Sequence, residues 1–317
     1  MSEFDYTGKV AIITGAGAGL GREYALSLAA RGASVLVNDY GCGPDGSAGI
    51  GSPANDVVAE IREKGGTAVA NGSSVVDGAQ VVEAAMDAFG RIDILVNNAG
   101  IAGGGWFSAI PVEDFDRMLE THLGGTIAVT RAAWPHLARQ GWARIINSSS
   151  TASYGAPFTS HYATAKSAMI GFTRSLAIEG APDGICVNAI MPSAFTRLTS
   201  QIPDPMLLDY MSRNFRPQRV AAFVLWLLST SHNGEIFSVA GGRAARVVLA
   251  QGEGGQVQDD TPEAWAKVEA QVMAVNPPRA AMSMFEELCD QLEDFGGDAL
   301  PVAAGIRKTH EWGKQNA

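Results

Sequence analysis

The sequence predicts an α/β fold, a doubly wound Rossmann-type parallel sheet of about seven strands with a C-terminal helical extension. Three observations predict it. Short apolar runs alternate with longer helical patterns over residues 9–245. The runs lack polar alternation, which implies burial on both faces, as in a parallel sheet. A glycine cluster, Thr14-Gly15-Ala16-Gly17-Ala18-Gly19-Leu20-Gly21, follows the first run and opens the first helix.

The elements follow in order. KVAIIT (9–14) is apolar and β-branched and reads as a strand. Residues 20–31 read as a helix that stops at Gly32. SVLVND (34–39) is the second strand, and 54–64 is a helix ending at Gly65-Gly66. TAVA (67–70) is a short strand, and 78–89 is a helix ending at Gly90. IDILVNN (92–98), RIINSS (144–149), ICVNAI (185–190) and EIFSVA (235–240) complete the strands. Helices are expected over 112–138, 160–179 and 219–228. The run 41–53, GCGPDGSAGIGSP, is a loop leaving the carboxyl end of the second strand. It is either a plain surface connection or a functional loop beside a ligand. Residues 251–262 read as a linker, with helices over 262–274 and 281–294. The expected organisation is one dinucleotide-binding domain over 1–250 and an extension over 251–317 that packs on the core or on a partner subunit.

Composition narrows the function. The 317 residues are 46% hydrophobic and carry a formal net charge of −10, which argues for a packed core and against nucleic-acid or anionic-membrane binding. Three distant cysteines without a C-x-x-C pair argue against a disulfide framework or zinc ribbon. No secretory signal pattern is visible, and the longest apolar run, 220–228, is too short to span a bilayer. A soluble cytoplasmic protein is expected. The histidines show no metal-ligand spacing, so no metal is expected.

The glycine loop carries the first functional signal. Glycines let backbone approach a pyrophosphate, and a helix N-terminus offers free N–H donors. Gly15, Gly17, Gly19, Leu20 and Gly21 are therefore candidate cofactor contacts. Asp39 ends the second strand, where a carboxylate accepts from ribose hydroxyls and repels a 2′-phosphate. No Arg or Lys lies in the glycine loop or directly after Asp39, so NAD is preferred over NADP. Tyr162 and Lys166 are four apart in a helical segment and share a face. An ammonium near a phenol favours the phenolate and lowers its pKa. Ser149, at the preceding strand end, is placed to bind a substrate oxygen.

These motifs, with Asn97-Asn98-Ala99-Gly100 after the fourth strand, resemble the short-chain dehydrogenase/reductase family over residues 6–245. The resemblance implies Ser149, Tyr162 and Lys166 as the catalytic residues, because the family's serine stands 13 residues before the tyrosine. It implies that Lys166 also meets the nicotinamide ribose, and that Asn98, Ala99 and Gly100 line the cofactor site. Pro192 and Thr196 would lie near the nicotinamide. Two departures stand out. His122 occupies the place of a common family asparagine, either holding a water or shuttling a proton, or as a structural residue. The usual acidic residue near the adenine is absent, leaving Ser74 and Val75 to cover that edge.

Within the family, the stretches GAGAGLGREYALSLAARGASVLVNDYG, GRIDILVNNAGI and TRAAWPHL resemble the (3R)-hydroxyacyl-CoA dehydrogenase part of type 2 peroxisomal multifunctional enzymes. This implies NAD, a homodimer or homotetramer, and an acyl-CoA or steroid substrate, in a free-standing version of one module. A free 17β-hydroxysteroid is the alternative substrate. A non-catalytic NAD sensor is the alternative of another class, and the Tyr162 and Lys166 pair argues against it. Arg213, Arg216, Arg219, Arg243 and Arg246 are either a phosphate patch for CoA or ordinary surface charge. Met191, Phe195, Leu198, Ile202, Met206, Leu207 and Leu208 suit an apolar acyl chain, and equally suit helix packing.

Overall fold

The apolar runs pair as strands because each buries both faces. The computed structural model describes residues 4–43, 45–47, 49, 51–196, 199, 204–249, 257, 259–274, 288–289, 292–293 and 297–315. The strands are β1 (Val10–Thr14), β2 (Ser34–Asn38), β3 (Thr67–Asn71), β4 (Ile94–Asn97), β5 (Ala143–Ser148), β6 (Ile185–Ser193) and β7 (Ile236–Ala240). They form one sheet in the order β3-β2-β1-β4-β5-β6-β7, all parallel. An eighth strand, β8 (Arg243–Val247), pairs antiparallel on β7. Gly241 (φ 54°) and Gly242 (φ 99°) make the two-residue turn between them, since both positions need the left-handed region.

Alternate residues of each strand feed two cores. Ala11, Ile13, Val35, Val37 and Val96 pack under α1 (Gly19–Ala29), α2 (Pro53–Glu63) and α8 (Pro217–Ser229). Ile12, Leu36, Leu95 and Ile145 pack under α3 (Gly78–Phe89), α5 (Gly125–Ala138) and α6 (Ser160–Gly180). The period of two along each strand separates these sets.

Three expectations change. The single helix expected over 112–138 is divided: α4 (Val112–Leu119) and α5 are joined by a π turn at Glu120–Gly124. Such turns are rare and recur at functional sites, and this one carries His122. The tail helix expected at 262–274 appears as α9 (Pro262–Lys267) and α10 (Glu269–Val272). Most of 281–294 lies outside the described residues, as does most of the 251–262 linker. A helix not anticipated, α11, spans Leu300–Gln315. Its Val302, Ala303 and Ile306 pack with Leu207, Tyr210 and Met211 of α7 (Pro205–Asn214). Among the described residues no helix is long and apolar enough to cross a membrane.

Asp93 anchors the amino end of β4, opposite the glycine loop. It is fully buried, accepts from Val10 N at 3.0 Å, and is paired with Arg91 at 2.6 Å and Lys9 at 3.5 Å. Asp93→Ala is expected to destabilise the fold by about 2–4 kcal/mol, because it strands a buried N–H and two cations. The urea midpoint should fall, while activity per folded molecule is retained.

Candidate active site

The glycine loop closes on itself because its glycines leave no room for side chains. A Cβ on Gly21 would stand 2.3 Å from Gly15 O, and one on Gly15 would stand 2.8 Å from Ala99 Cα. Gly15 and Gly19 also adopt φ 62° and 55°. Helix α1 begins at Gly19 with no side-chain cap on its N–H groups. These orphan donors at a positive helix end suit an anion. Thr14 fastens the loop to the next motif: its Oγ1 accepts from Asn98 N and Ala99 N, both at 3.0 Å. Asn98 Nδ2 donates to Thr14 O at 3.0 Å. Thr196 lies beside the loop, its Cγ2 3.4 Å from where a Gly19 Cβ would be. Pro192 lies in β6 opposite Val239.

Asp39 is held at the loop by its own hydrogen bonds. Oδ2 accepts from Gly17 N and Oδ1 from Gly41 N, both at 2.8 Å. A carboxylate has further lone pairs to offer. The uncapped helix, the side-chain-free cradle and this carboxylate fit a dinucleotide. Ser74 caps a short turn by accepting from Val76 N. Val75 is buried, and a Cβ on Gly125 would collide with its Cγ2 at 2.4 Å. Its side chain is committed to the core under α5, leaving only its backbone for an adenine.

The catalytic candidates converge at the carboxyl ends of β4 and β5. Ser149 is anchored by its N–H to Ile190 O at 2.7 Å. Its hydroxyl donates to Lys166 O at 2.8 Å and lies 3.3 Å from Ser153 Oγ. Lys166 is buried and donates from Nζ to Ser148 O at 2.7 Å. Its Nζ is 5.8 Å from the Tyr162 ring centroid. Burial brings the Lys166 ammonium down to about 7.

Tyr162 departs from the expected direction. Burial pushes its phenol up rather than down, and a hydrogen bond from Ser150 offsets part of that rise. The cause is burial, and the nearby Lys166 donates from Nζ to the Ser148 carbonyl. Ser150 was passed over by the sequence pattern, since only Ser149 has the family spacing. Its position next to Ser149 was the available signal.

His122 is almost fully buried, 5.4 Å from Tyr162 between ring centroids, edge to face. Its Nε2 lies 2.8 Å from Ile101 O and 3.1 Å from Ile101 N, and only one of these bonds exists in a given tautomer. Nδ1 is buried without a hydrogen-bond partner among the described residues. Burial first, then the nearby Lys166, holds its pKa well below 6.5. His122 is therefore neutral at working pH, which favours a fixed polar group over a cationic shuttle. Gly100 exists in part for this ring, because a Cβ there would stand 2.2 Å from His122 Cε1.

Trp106 and Phe158, both exposed, pair at 4.4 Å beside this region. A cavity of about 180 Å³ lies behind residues 101–105, walled also by Asp114, Arg117 and His161. The arginines read as a phosphate patch are largely engaged. Arg213 pairs with Asp209 at 2.7 Å, Arg246 with Glu235 at 2.6 Å, and Arg219 donates to Gly241 O at 2.5 Å. Of the candidate acyl contacts, Met191 and Leu207 are core residues and Met206 is exposed. Leu198 and Ile202 lie outside the described residues.

Comparison with known proteins agrees with this geometry. Residues 9–204 match the short chain dehydrogenase family model. The chain is 42% identical over 278 residues to peroxisomal multifunctional enzyme type 2 of Mus musculus, covering 84% of this chain and 37% of that one. It is 40% identical over 271 residues to a short-chain type dehydrogenase/reductase of Mycobacterium tuberculosis, covering 82% and 93%. Among solved structures, full-length multifunctional enzyme type 2 of Drosophila melanogaster superposes with a TM-score of 0.71 at 32% identity, covering 92% of this chain and 50% of that one. A 7α-hydroxysteroid dehydrogenase complexed with NADH superposes with a TM-score of 0.67 at 32% identity, covering 76% and 96%. The chain thus spans 37% to 61% of the length of the multifunctional enzymes it matches. Fold, motif geometry and these likenesses together establish that the chain belongs to the short-chain dehydrogenase/reductase family and is an oxidoreductase.

Proposed function

We propose that the chain oxidises a (3R)-hydroxyacyl-CoA to the 3-oxoacyl-CoA with NAD, through Ser149, Tyr162 and Lys166. The observation that carries the chemistry is the convergence of these three residues beside a glycine cradle that fits a dinucleotide. The likeness to the multifunctional enzyme over most of this chain supports the thioester. The bound nicotinamide supplies the hydride acceptor. Tyr162 Oη takes the substrate's hydroxyl proton, and Ser149 Oγ turns from Lys166 O to hold the oxygen. Burial favours the neutral forms of both Tyr162 and Lys166. Passing a proton from phenol to amine creates the basic phenolate without changing the pair's net charge. His122 holds its neutral ring against Tyr162 and orients it.

The test is NADH formation by purified protein on a (3R)-hydroxyacyl-CoA, against a free 17β-hydroxysteroid and with NADP as control. Turnover on the thioester is expected. Turnover on the steroid alone would replace the substrate claim, and silence on both would remove it. Asp39 supports NAD, because a 2′-phosphate would meet its carboxylate. Asp39→Asn is expected to lower the NAD-over-NADP ratio of kcat/KM by at least about tenfold, given the cost of opposing like charges. A homodimer or homotetramer in the cytoplasm completes this reading, with sedimentation velocity and cell fractionation as the checks.

A further inference from the structure

Three aromatic side chains stand on the loops beside the catalytic residues and take no part in the chemistry above. Trp106, Phe107 and Phe158 are 58%, 74% and 46% exposed. Trp106 and Phe158 meet edge to face, 4.4 Å between ring centroids. The two rings come from different loops. Trp106 lies between β4 and α4, and Phe158 lies two residues ahead of α6, whose third residue is Tyr162. Backbone bonds hold both loops without help from the rings. Trp106 O accepts from Ala109 N at 2.8 Å and from Ile110 N at 3.1 Å, and Gly105 N donates to Phe158 O at 2.8 Å.

Phe158 is the one non-glycine residue among those described with a positive φ, 66°. A bulky side chain in that region is an outlier. Half exposed, the ring recovers little of the cost by packing, and strain of this kind collects at ligand clamps. The pair also adjoins the catalytic cleft. Gly103, Gly104, Gly105 and His161, the neighbour of Tyr162, wall the cavity of about 180 Å³. Ile101 walls it too, and its backbone bonds to His122, which packs on Tyr162. Fully buried aromatic side chains cover ~150–250 Å² each, so three partly exposed rings offer on the order of 400 Å². A stable protein interface takes about 800 Å² from each partner. The patch is too small for a second protein surface and suits a narrow apolar chain.

We propose that Trp106 and Phe158 are specificity-determining residues that clamp the distal part of a long acyl chain while its C3 lies at Tyr162. The inference rests on the hydroxyacyl-CoA reading above. Phe158 and Tyr162 are four residues apart in the chain, a span of at most about 14 Å even when extended. A four-carbon acyl group has one carbon beyond the reacting one and engages neither ring. A sixteen-carbon group has thirteen, enough to cover that span. Between the indole and the edge of the phenyl ring, a methylene chain leaves water without either loop having to reorder. Gly104 lets the loops approach this closely, since a Cβ there would stand 3.2 Å from Phe158 O.

The experiment measures kcat and KM with NAD on (3R)-hydroxybutyryl-CoA and on (3R)-hydroxyhexadecanoyl-CoA. It compares the full wild-type chain with Trp106→Ala, Trp106→Phe and Phe158→Gly. In Trp106→Ala, kcat/KM on the sixteen-carbon thioester is expected to fall about tenfold, through KM, and to stay within about twofold of wild type on the four-carbon one. Trp106→Phe should keep most of the long-chain value. Phe158→Gly should show the same long-chain loss with a thermal midpoint at or above wild type, because glycine relieves the positive φ. A merely structural role for the ring would lower that midpoint. Long-chain values near wild type in both Trp106→Ala and Phe158→Gly, or equal losses on both thioesters, would overturn the clamp and leave the reaction intact. So would a wild type active on the four-carbon thioester alone. Dissociation of a wild-type oligomer in Trp106→Ala, with the chain-length profile unchanged, would give the patch to a second copy and overturn the clamp. If Trp106→Ala fails to fold, Phe158→Gly decides. A wild type silent on both thioesters would overturn the hydroxyacyl-CoA reading and the clamp with it.

Discussion

Tyr162→Phe is expected to cut turnover by about 10³-fold while NADH affinity stays within about threefold of wild type, the range for removing a positioned acid/base. The phenol oxygen is the group that exchanges a proton with the substrate in the proposed reaction. The rest of the ring packs edge to face on His122, and Phe keeps that packing. Only the hydrogen bond with Ser150 is lost from the protein side. The fold should therefore survive, with a thermal midpoint close to wild type. Steady-state kinetics and fluorescence titration of NADH on the same sample separate the two effects. Turnover retained within tenfold would remove Tyr162 from its assigned role.

Lys166→Met should be nearly inactive yet more stable than wild type. The sign follows from where the proton sits. Burial brings the Lys166 pKa from 10.5 to about 7 in the native state. The unfolded chain keeps the higher value. Between pH 7 and 10.5 the unfolded state binds the proton that the native state refuses, so stability falls as pH drops through that window. Below about 7 both states are protonated and the penalty is constant. Methionine fills similar space without a charge to desolvate. It forfeits the bond to Ser148 O. The net gain is expected to be roughly 2–4 kcal/mol at neutral pH and to vanish above about pH 10.5, by the conversion of about 1.4 kcal/mol per pKa unit less one buried hydrogen bond. Denaturant unfolding of the cofactor-free protein at pH 7 and at high pH tests this. A variant less stable at pH 7 than wild type would show that the lysine's hydrogen bond outweighs its burial. Such a site, stored at a cost to stability, is how activity and stability commonly oppose each other.

The parallel strands were legible because burial on both faces writes itself as continuous apolar sequence. KVAIIT and SVLVND fall within a residue of β1 and β2. β8 was not legible, since its exposure alternates and it carries arginines, although Gly241-Gly242 signalled a turn. The π turn at Glu120–Gly124 was invisible because a helical pattern shows periodicity, not one inserted residue. Helix α11 was missed because its apolar positions find partners such as Leu207 and Met211 of α7 and Ala240 of β7, far earlier in the chain.

Sequence alone determined the fold class and the glycine cradle, and it named the residues proposed to carry the chemistry. These depend on local spacing: a strand, a turn without side chains, and a tyrosine and a lysine one helical turn apart. Tertiary structure alone decided how those residues are charged and what they touch. Whether Lys166 serves the phenol or the Ser148 carbonyl depends on a neighbour 18 residues away. Gly100 reads as a cofactor contact in the sequence, and only the fold sets the His122 ring against it. The pKa of Tyr162 rose rather than fell because desolvation depends on the packing of the whole cleft. Burial and partners come from chain segments distant in sequence, and no local pattern encodes them.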